Sequence, residues 1–146
     1  MIQGMKIQVA IDCADPHALV RFWAALLDYE IEQDPAFVQR MLDLGYATPD
    51  DTAVVDGVLT WRTAVACSDP SGRGPRLLFQ QVPEPKTVKN RVHLDLHTDR
   101  AGGQDDRDTF VARALELGAT KLWDGRQGPM SWVTLADPEG NELCIS

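Results

Sequence analysis

Hydrophobic and polar residues alternate along two segments of the chain, one near its start and one beyond its middle. The segment IQVAIDC at residues 7–13 has an apolar side chain at every second position, and so does VHLDLH at 92–97. Because successive side chains of a strand point to opposite faces, each segment is predicted to be a strand with one apolar and one polar face. The second polar face carries His93, Asp95 and His97.

After each of these predicted strands, apolar residues recur at the spacing of an α-helix. Asp15-Pro16 is typical of a helix start, and apolar residues continue from there at helical spacing, with Trp23 on the predicted core side. Asp34-Pro35 repeats the signal and predicts a second helix that ends near Gly45. A third helix is predicted to end at Gly118.

The second half of the chain repeats the first. The segment WRTAVACSDPSGRGPRLLF at 61–79 returns in shortened form as WVTLADPEGNELCI at 132–145, and each is predicted to be a strand, an Asp-Pro-x-Gly turn and another strand. Two copies are too few for a solenoid, which needs about three or more stacked units. They predict a pseudo-twofold domain whose halves together enclose a site.

One domain is expected over residues 1–146, a usual length for a single domain. Module one spans 1–82 and includes a helical insertion at about 34–45, which has no counterpart in the later half. The segment 83–90, PEPKTVKN, reads as a linker, and module two spans 91–146. A polar loop, TPDDTAVVDG, is predicted at 48–57.

Charge and composition limit the partners and the cellular location that can be expected of this protein. A net charge of −8 would repel phosphate backbones, so nucleic acid is not an expected partner. No segment approaches the roughly 18 apolar residues of a membrane span, and the start shows no secretory signal, so a cytoplasmic protein is expected. The three cysteines are odd in number and widely spaced, which predicts reduced thiols.

The polar faces of the two halves are predicted to converge on a small-molecule ligand. Their side chains can donate or accept hydrogen bonds, and Trp132 adds an aromatic surface; Trp61 is a further aromatic candidate. Two histidines with several carboxylates could also bind a divalent metal. The predicted ligand-binding residues are Gln8, Asp12, Gln80, His93, Asp95, Trp132, Glu142 and Cys144.

Three segments carry a family resemblance: IDCADPHALVRFWAALLDYE at 11–30, the stretch from Leu59 to Leu96, and SWVTLADPEGNELCIS at 131–146. They resemble bacterial glyoxalase-like domains of the vicinal oxygen chelate superfamily, which includes glyoxalase I, bleomycin- and fosfomycin-resistance proteins and extradiol dioxygenases. The resemblance implies an α+β fold in which two βαβββ modules form an eight-stranded, cup-shaped mixed sheet with helices on its outer face. It also implies that metal-using members take ligands from the first, fourth, fifth and eighth strands.

Carried over to this chain, that ligand pattern is incomplete. His93 occupies the fifth-strand position, and the fourth-strand position holds Leu78 or Gln80. The first-strand position is Gln8 when counted back from Asp15, or Ala10 when the two strands are aligned on their aspartates. The eighth-strand position, a glutamate in metal-using members, holds Cys144, with Glu142 two residues earlier. No metal is therefore predicted.

The resulting prediction is a homodimeric protein that binds a small molecule in the cup between its modules without a metal cofactor. One alternative is a metal-dependent lyase, isomerase or dioxygenase that uses Gln8, His93 and Glu142 as ligands. A second is a metal-free enzyme with His93 as general base and Asp95 or Asp12 as its acid/base partner. A pure interaction module is a third.

Overall fold

A computed structural model of the protein describes residues 4–98 and 104–146. The chain divides into two compact units, residues 1–84 and residues 85–146. Each unit contains a four-stranded sheet, and helices pack against the sheets.

The N-terminal unit carries one mixed sheet and one separate hairpin. In the order β1-β6-β5-β2, β1 runs parallel to β6 and the remaining neighbours are antiparallel. The elements are β1 (Gln8–Cys13), α1 (Pro16–Leu27), β2 (Glu30–Ile31), α2 (Pro35–Asp43), a 3-10 turn (Pro49–Asp51), β3 (Thr52–Val55), β4 (Val58–Trp61), β5 (Ala64–Ser68) and β6 (Arg76–Gln81).

Helix α1 begins and ends where local chemistry dictates. The Asp15 carboxylate accepts a hydrogen bond from the Ala18 amide at 3.1 Å, and Pro16 occupies the first turn, where a missing N–H costs nothing. Asp28 ends the helix in the left-handed conformation, with φ of 56°. The apolar stripe packs on β5 and β6, and Trp23 is buried as predicted.

The segment between β2 and β5 is an insertion larger than the one predicted. Helix α2 starts at the Asp34 cap, and the segment predicted as a polar loop forms the hairpin β3–β4 instead. Its turn residues, Asp56 and Gly57, both have positive φ, as two-residue hairpin turns require. Trp61 ends this hairpin rather than opening β5, because it pairs with Thr52.

The C-terminal unit repeats the N-terminal topology without the insertion. In the order β7-β10-β9-β8, β7 is parallel to β10 and the other neighbours are antiparallel. Helix α3 packs against β10. The elements are β7 (Leu94–Leu96), α3 (Gln104–Glu116), β8 (Thr120–Gln127), β9 (Met130–Ala136) and β10 (Glu142–Ile145).

The two sheets confirm the α+β class and the two βαβββ repeats. Ten strands are present in the described ranges rather than the expected eight, because the insertion adds β3 and β4. The same turn chemistry closes both repeats. The Asp69 carboxylate accepts from the Ser71 and Gly74 amides, and the Asp137 carboxylate accepts from the amides that follow it.

Within residues 4–98 and 104–146, no helix is long and apolar enough to cross a membrane.

Candidate functional site

Three side chains line up across the C-terminal sheet. The register places Asp95 of β7 opposite Cys144 of β10, and Cys144 opposite Thr134 of β9. Alternation puts Trp132 and Glu142 on the same face, which we call the C-terminal polar face. The opposite face is apolar and buried: Leu143 and Ile145 have no exposed surface.

His93 precedes β7 by one residue and is held by its neighbour Asp95. Its Nδ1 lies 2.8 Å from Asp95 Oδ1, and since a carboxylate accepts, the ring donates from Nδ1. The two side chains are 38% and 49% exposed. This contact orients the imidazole, and it does not use the second ring nitrogen, Nε2.

Cys144 completes a cluster of three different donor atoms. Nitrogen, oxygen and sulfur from His93, Asp95 and Cys144 all lie within 4.8 Å of one another. The Thr134 hydroxyl lies 3.4 Å from the Cys144 sulfur. Burial raises the pKa of the Cys144 thiol, and the negative charge of Asp95 adds to this despite the opposing effects of Thr134 and Lys89. The Cys144 side chain is therefore a protonated thiol at neutral pH.

Glu142 shares the polar face, but the preceding segment engages its carboxylate. The Asn90 amide donates to one oxygen at 2.9 Å, and the Lys86 ammonium lies 3.2 Å away. Burial acts to raise the pKa of Glu142, but these contacts outweigh it and hold the pKa below its usual range. Glu142 thus ties residues 86–90 to β10.

Trp132 lies against a glycine of the neighbouring strand. It is paired with Gly125, where an added Cβ would fall 2.1 Å from Trp132 Cε2. The indole can rest on the β8 backbone only because position 125 has no side chain. Sequence analysis missed Gly125 as well as Thr134, although the alternation in WVTLA places Thr134 on the face of Trp132.

The other three predicted residues lie on the N-terminal sheet. Asp12 and Gln80 are opposite each other in β1 and β6. Gln8 Oε1 accepts a hydrogen bond from Arg76 Nη1 at 2.6 Å, and Arg76 also contacts Glu32 at 2.7 Å. The amide oxygen of Gln8 is therefore already in use within the N-terminal unit.

The register also identifies the repeat partner of His93. Asp12 faces Gln80 as Asp95 faces Cys144, so the two aspartates are equivalent. Two residues before Asp12 lies Ala10, whose methyl group can neither ligate nor transfer a proton. At these equivalent positions the N-terminal copy therefore has Ala10 and Gln80 where the C-terminal copy has an imidazole and a thiol.

A small cavity in the N-terminal unit lies beside the inserted hairpin. Its volume is about 40 Å³, enough for a water molecule or two and too small for an organic substrate. His17 lines it and bonds through Nε2 to the Trp61 carbonyl at 2.8 Å. This contact ties α1 to the hairpin.

Known proteins share this architecture. Residues 8–146 match the family model described as a glyoxalase-like domain. A glyoxalase/bleomycin resistance protein/dioxygenase family enzyme from Burkholderia phytofirmans PsJN is 15% identical, with 94% of each chain covered and a TM-score of 0.61. The fosfomycin resistance protein FosX from Mesorhizobium loti is 12% identical, with coverage of 99% of this chain and 91% of its own and a TM-score of 0.62.

A third similar structure was solved with ligands. It is a FosX variant from Listeria monocytogenes in complex with Mn(II) and 1S,2S-dihydroxypropylphosphonic acid. It is 10% identical, covers 99% of this chain and 90% of its own, and has a TM-score of 0.61. No curated protein sequence matches the chain. The similarity to solved structures shows the fold, and the family model shows that the chain belongs to the glyoxalase-like domain family.

Proposed function

We propose that this protein binds a small polar molecule at the C-terminal polar face, through His93 and Asp95, and that binding needs no resident metal. The observation that carries the proposal is the 2.8 Å contact between the two side chains. An imidazole fixed by a carboxylate presents Nε2 in one orientation, which favours a specific hydrogen bond over a loose surface contact.

The surroundings of this pair supply both polar and apolar contact. Thr134 is almost completely buried and lies beside Cys144, and Trp132 is half-buried on the same strand. A half-buried indole offers a flat apolar surface to a ligand, with an N–H at its edge. This combination of an aromatic surface with a few oriented polar groups is typical of small-molecule sites.

The chain's donor groups do not fit a metal of the Mn²⁺ type. Such ions prefer oxygen and nitrogen ligands, whereas position 144 presents sulfur. The carboxylate of Glu142 is already engaged by Lys86 and Asn90. Asp95 is the one carboxylate of the cluster, and it is hydrogen-bonded to His93. Chemistry through a manganese-type centre is therefore not part of the proposal.

The test is a thermal-shift screen of chelator-treated protein against a panel of carboxylic acids, phosphates, amines and polyols. We expect at least one class to raise the melting temperature of the wild type with chelator present. The His93→Gln variant should lose that shift, while His97→Gln, which changes an exposed histidine bonded to Ser146, should keep it. Hits that stabilise His93→Gln equally, or that require an added divalent ion, would refute the proposal.

The His93–Asp95 pair also favours a second function, proton transfer to or from a bound carbonyl compound. Asp95 would stabilise the imidazolium formed when His93 Nε2 accepts a proton. A positioned general base contributes about 10²–10⁴-fold to a rate.

Hydrogen exchange tests this second function directly. Small ketones and aldehydes are incubated with the protein in D₂O, and deuterium incorporation next to the carbonyl is followed by NMR. Catalysed exchange that disappears in both His93→Gln and Asp95→Asn would support an enzyme. Ligand binding without catalysed exchange would refute the second function and leave binding as the only function supported.

A further inference from the structure

We infer that the C-terminal polar face selects planar aromatic molecules that carry an O–H or N–H group, with the ring on the indoles of Trp123 and Trp132. The inference rests on the proposed function, because it takes a ligand that contacts His93 and names the chemical class of that ligand. Sequence analysis did not include Trp123, because the face that it occupies depends on the pairing of β8 with β9.

An irregularity in β8 places Trp123 on this face. Lys121 pairs with Leu135 of β9. Regular antiparallel pairing from there would bring Trp123 opposite Val133, whose side chain is buried. The register shifts after Lys121 instead, and Trp123 pairs with Thr134. A bulge of this kind changes the direction of a side chain, and bulges are frequent beside functional sites. The extra residue therefore moves Trp123 from the buried face of the sheet to the polar face.

Both indoles of the polar face are available to a ligand. Trp123 is 46% exposed, and Trp132 is half-buried. The aromatic ring pairs within residues 4–98 and 104–146 all lie in the N-terminal unit, so neither indole stacks on another ring of the described chain. Gly125, two residues after Trp123, gives the second indole room to lie against β8. The two indoles therefore form neighbouring parts of one apolar surface along that strand.

Short side chains separate this apolar surface from the His93–Asp95 pair. One row across the sheet consists, in order, of Asp95, Cys144, Thr134 and Trp123. Neighbouring strands lie about 4.8 Å apart, so the row spans roughly 14 Å from β7 to β8. Because its two middle side chains are short, a flat ring system above them would reach the indole at one end and the imidazole at the other.

An indole surface favours aromatic rings over saturated rings of similar size. Two π-systems attract each other in offset-stacked and edge-to-face arrangements, beyond what the burial of apolar area contributes. The additional attraction corresponds to roughly 2–13-fold in affinity for each pair of rings. A ligand that contacts both Trp123 and Trp132 therefore gains twice from being aromatic.

The hydrogen-bonding group of the ligand follows from the tautomer of His93. Its Nδ1 donates to Asp95, so in the neutral imidazole Nε2 is an acceptor. A ligand that bonds to this nitrogen must supply the hydrogen, as a phenolic O–H or a ring or amino N–H does. An aromatic ether can lie on the indoles but leaves Nε2 without a donor.

Three two-ring compounds test the inference by titration calorimetry of the full chain with chelator present. The first, 2-naphthol, has both an aromatic ring system and an O–H donor. The second, 2-methoxynaphthalene, lacks the donor, and the third, decahydro-2-naphthol, lacks the aromatic rings. We expect 2-naphthol to bind most tightly and each of the other two to bind about 5-fold or more weakly.

Variants assign the aromatic preference to the indole that the bulge exposes. Trp123→Leu keeps an apolar side chain but removes the ring, so it should weaken 2-naphthol binding about 5-fold or more and change decahydro-2-naphthol binding little. Trp123→Phe should restore most of the lost affinity. Trp61→Leu removes an indole of the inserted hairpin and is the matched control, which should leave both affinities unchanged. Circular dichroism verifies that every variant is folded.

Three results would overturn the inference: no binding of 2-naphthol up to its solubility limit, equal affinities for 2-naphthol and decahydro-2-naphthol, or an unchanged 2-naphthol affinity in Trp123→Leu. Equal binding of 2-methoxynaphthalene would overturn the requirement for a donor. These failures are distinct from failure of the proposed function. A saturated ligand from the thermal-shift screen that depends on His93 would sustain the proposed function while the aromatic inference fails.

Discussion

Individual residues in this protein differ sharply in how far their environment has altered their chemistry. Burial raises the pKa of Cys67 to about 12, with Glu32 adding to the effect and Arg76 opposing it. Cys13 and Cys67 are buried, whereas Cys144 is half-buried. The three thiols of one chain should therefore differ in reactivity.

We expect one thiol per native chain to react with a thiol reagent at about pH 8, more slowly than a free cysteine would. The raised pKa of Cys144 keeps most of that group protonated, and the buried pair is inaccessible. Cys144→Ser should abolish the native signal, and denaturant should expose the remaining thiols. Two or more fast-reacting thiols in the native protein would contradict this.

The lowered pKa of Glu142 makes the stability of the protein depend on pH. Its folded pKa lies below the ordinary value of 4.5, so its carboxylate contributes stability that is present above the unfolded pKa and is lost as pH falls through the folded pKa. Glu142→Gln should cost about 1 kcal/mol of unfolding free energy at neutral pH, since it removes a charge-assisted hydrogen bond and a salt bridge.

Urea unfolding at neutral and acidic pH measures this effect. The difference between wild type and Glu142→Gln should shrink as pH falls below about 4. Glu116→Gln, on an exposed part of α3, is the matched control and should change stability by less than about 0.5 kcal/mol. A pH-independent difference would assign the loss to packing instead.

At the scale of elements, the pairing of β8 with β9 depends on one missing side chain. Gly125 allows Trp132 to lie against the strand, and an added methyl would overlap the indole. Gly125→Ala should therefore destabilise the protein by about 1–3 kcal/mol and alter the tryptophan fluorescence.

A double variant separates the contact from backbone effects. In a Trp132→Ala background the same glycine substitution should cost much less, because the overlapping ring is gone. Gly4→Ala, with nothing within 4 Å, should have no effect. Equal costs in both backgrounds would show that the backbone of β8, and not the indole, sets the requirement for glycine.

At the scale of the whole molecule, the insertion between β2 and β5 offers a surface for association with a second copy of the chain. Large apolar side chains of the insertion are exposed, and Tyr46 reaches 81%. Exposed apolar groups gathered on one segment are typical of association surfaces. The other exposed apolar side chains of the insertion are those of Phe37, Leu44 and Val54.

We predict a homodimer in solution, with twice the 16.1 kDa mass of the chain. Sedimentation equilibrium over a concentration range measures this, and Tyr46→Glu should weaken the dimer because it places a charge on the exposed apolar surface of the insertion. Thr120→Glu, at an exposed position of β8, adds the same single negative charge and should leave the dimer unchanged. A monomer at every concentration would contradict the prediction.

The sequence by itself determined the local elements and their repetition. Helix capping at Asp15 and Asp34 depends on hydrogen bonds between residues that are close in sequence. The alternation around Asp95 is likewise a local pattern, so both can be recognised without knowing what packs against them. The two Asp-Pro-x-Gly turns likewise revealed the repeat. Both capped helices and the face of β7 that carries Asp95 followed from these signals, whereas the α+β class followed from the family resemblance.

Only the tertiary structure decided which distant residues meet. Asp95 becomes the neighbour of Cys144 through the register of β7 and β10, and no local pattern specifies a pairing between segments about 50 residues apart. Register also identified Ala10 as the counterpart of His93, and folding brought Lys86 and Asn90 onto Glu142. The mixed nitrogen, oxygen and sulfur cluster is a product of that pairing.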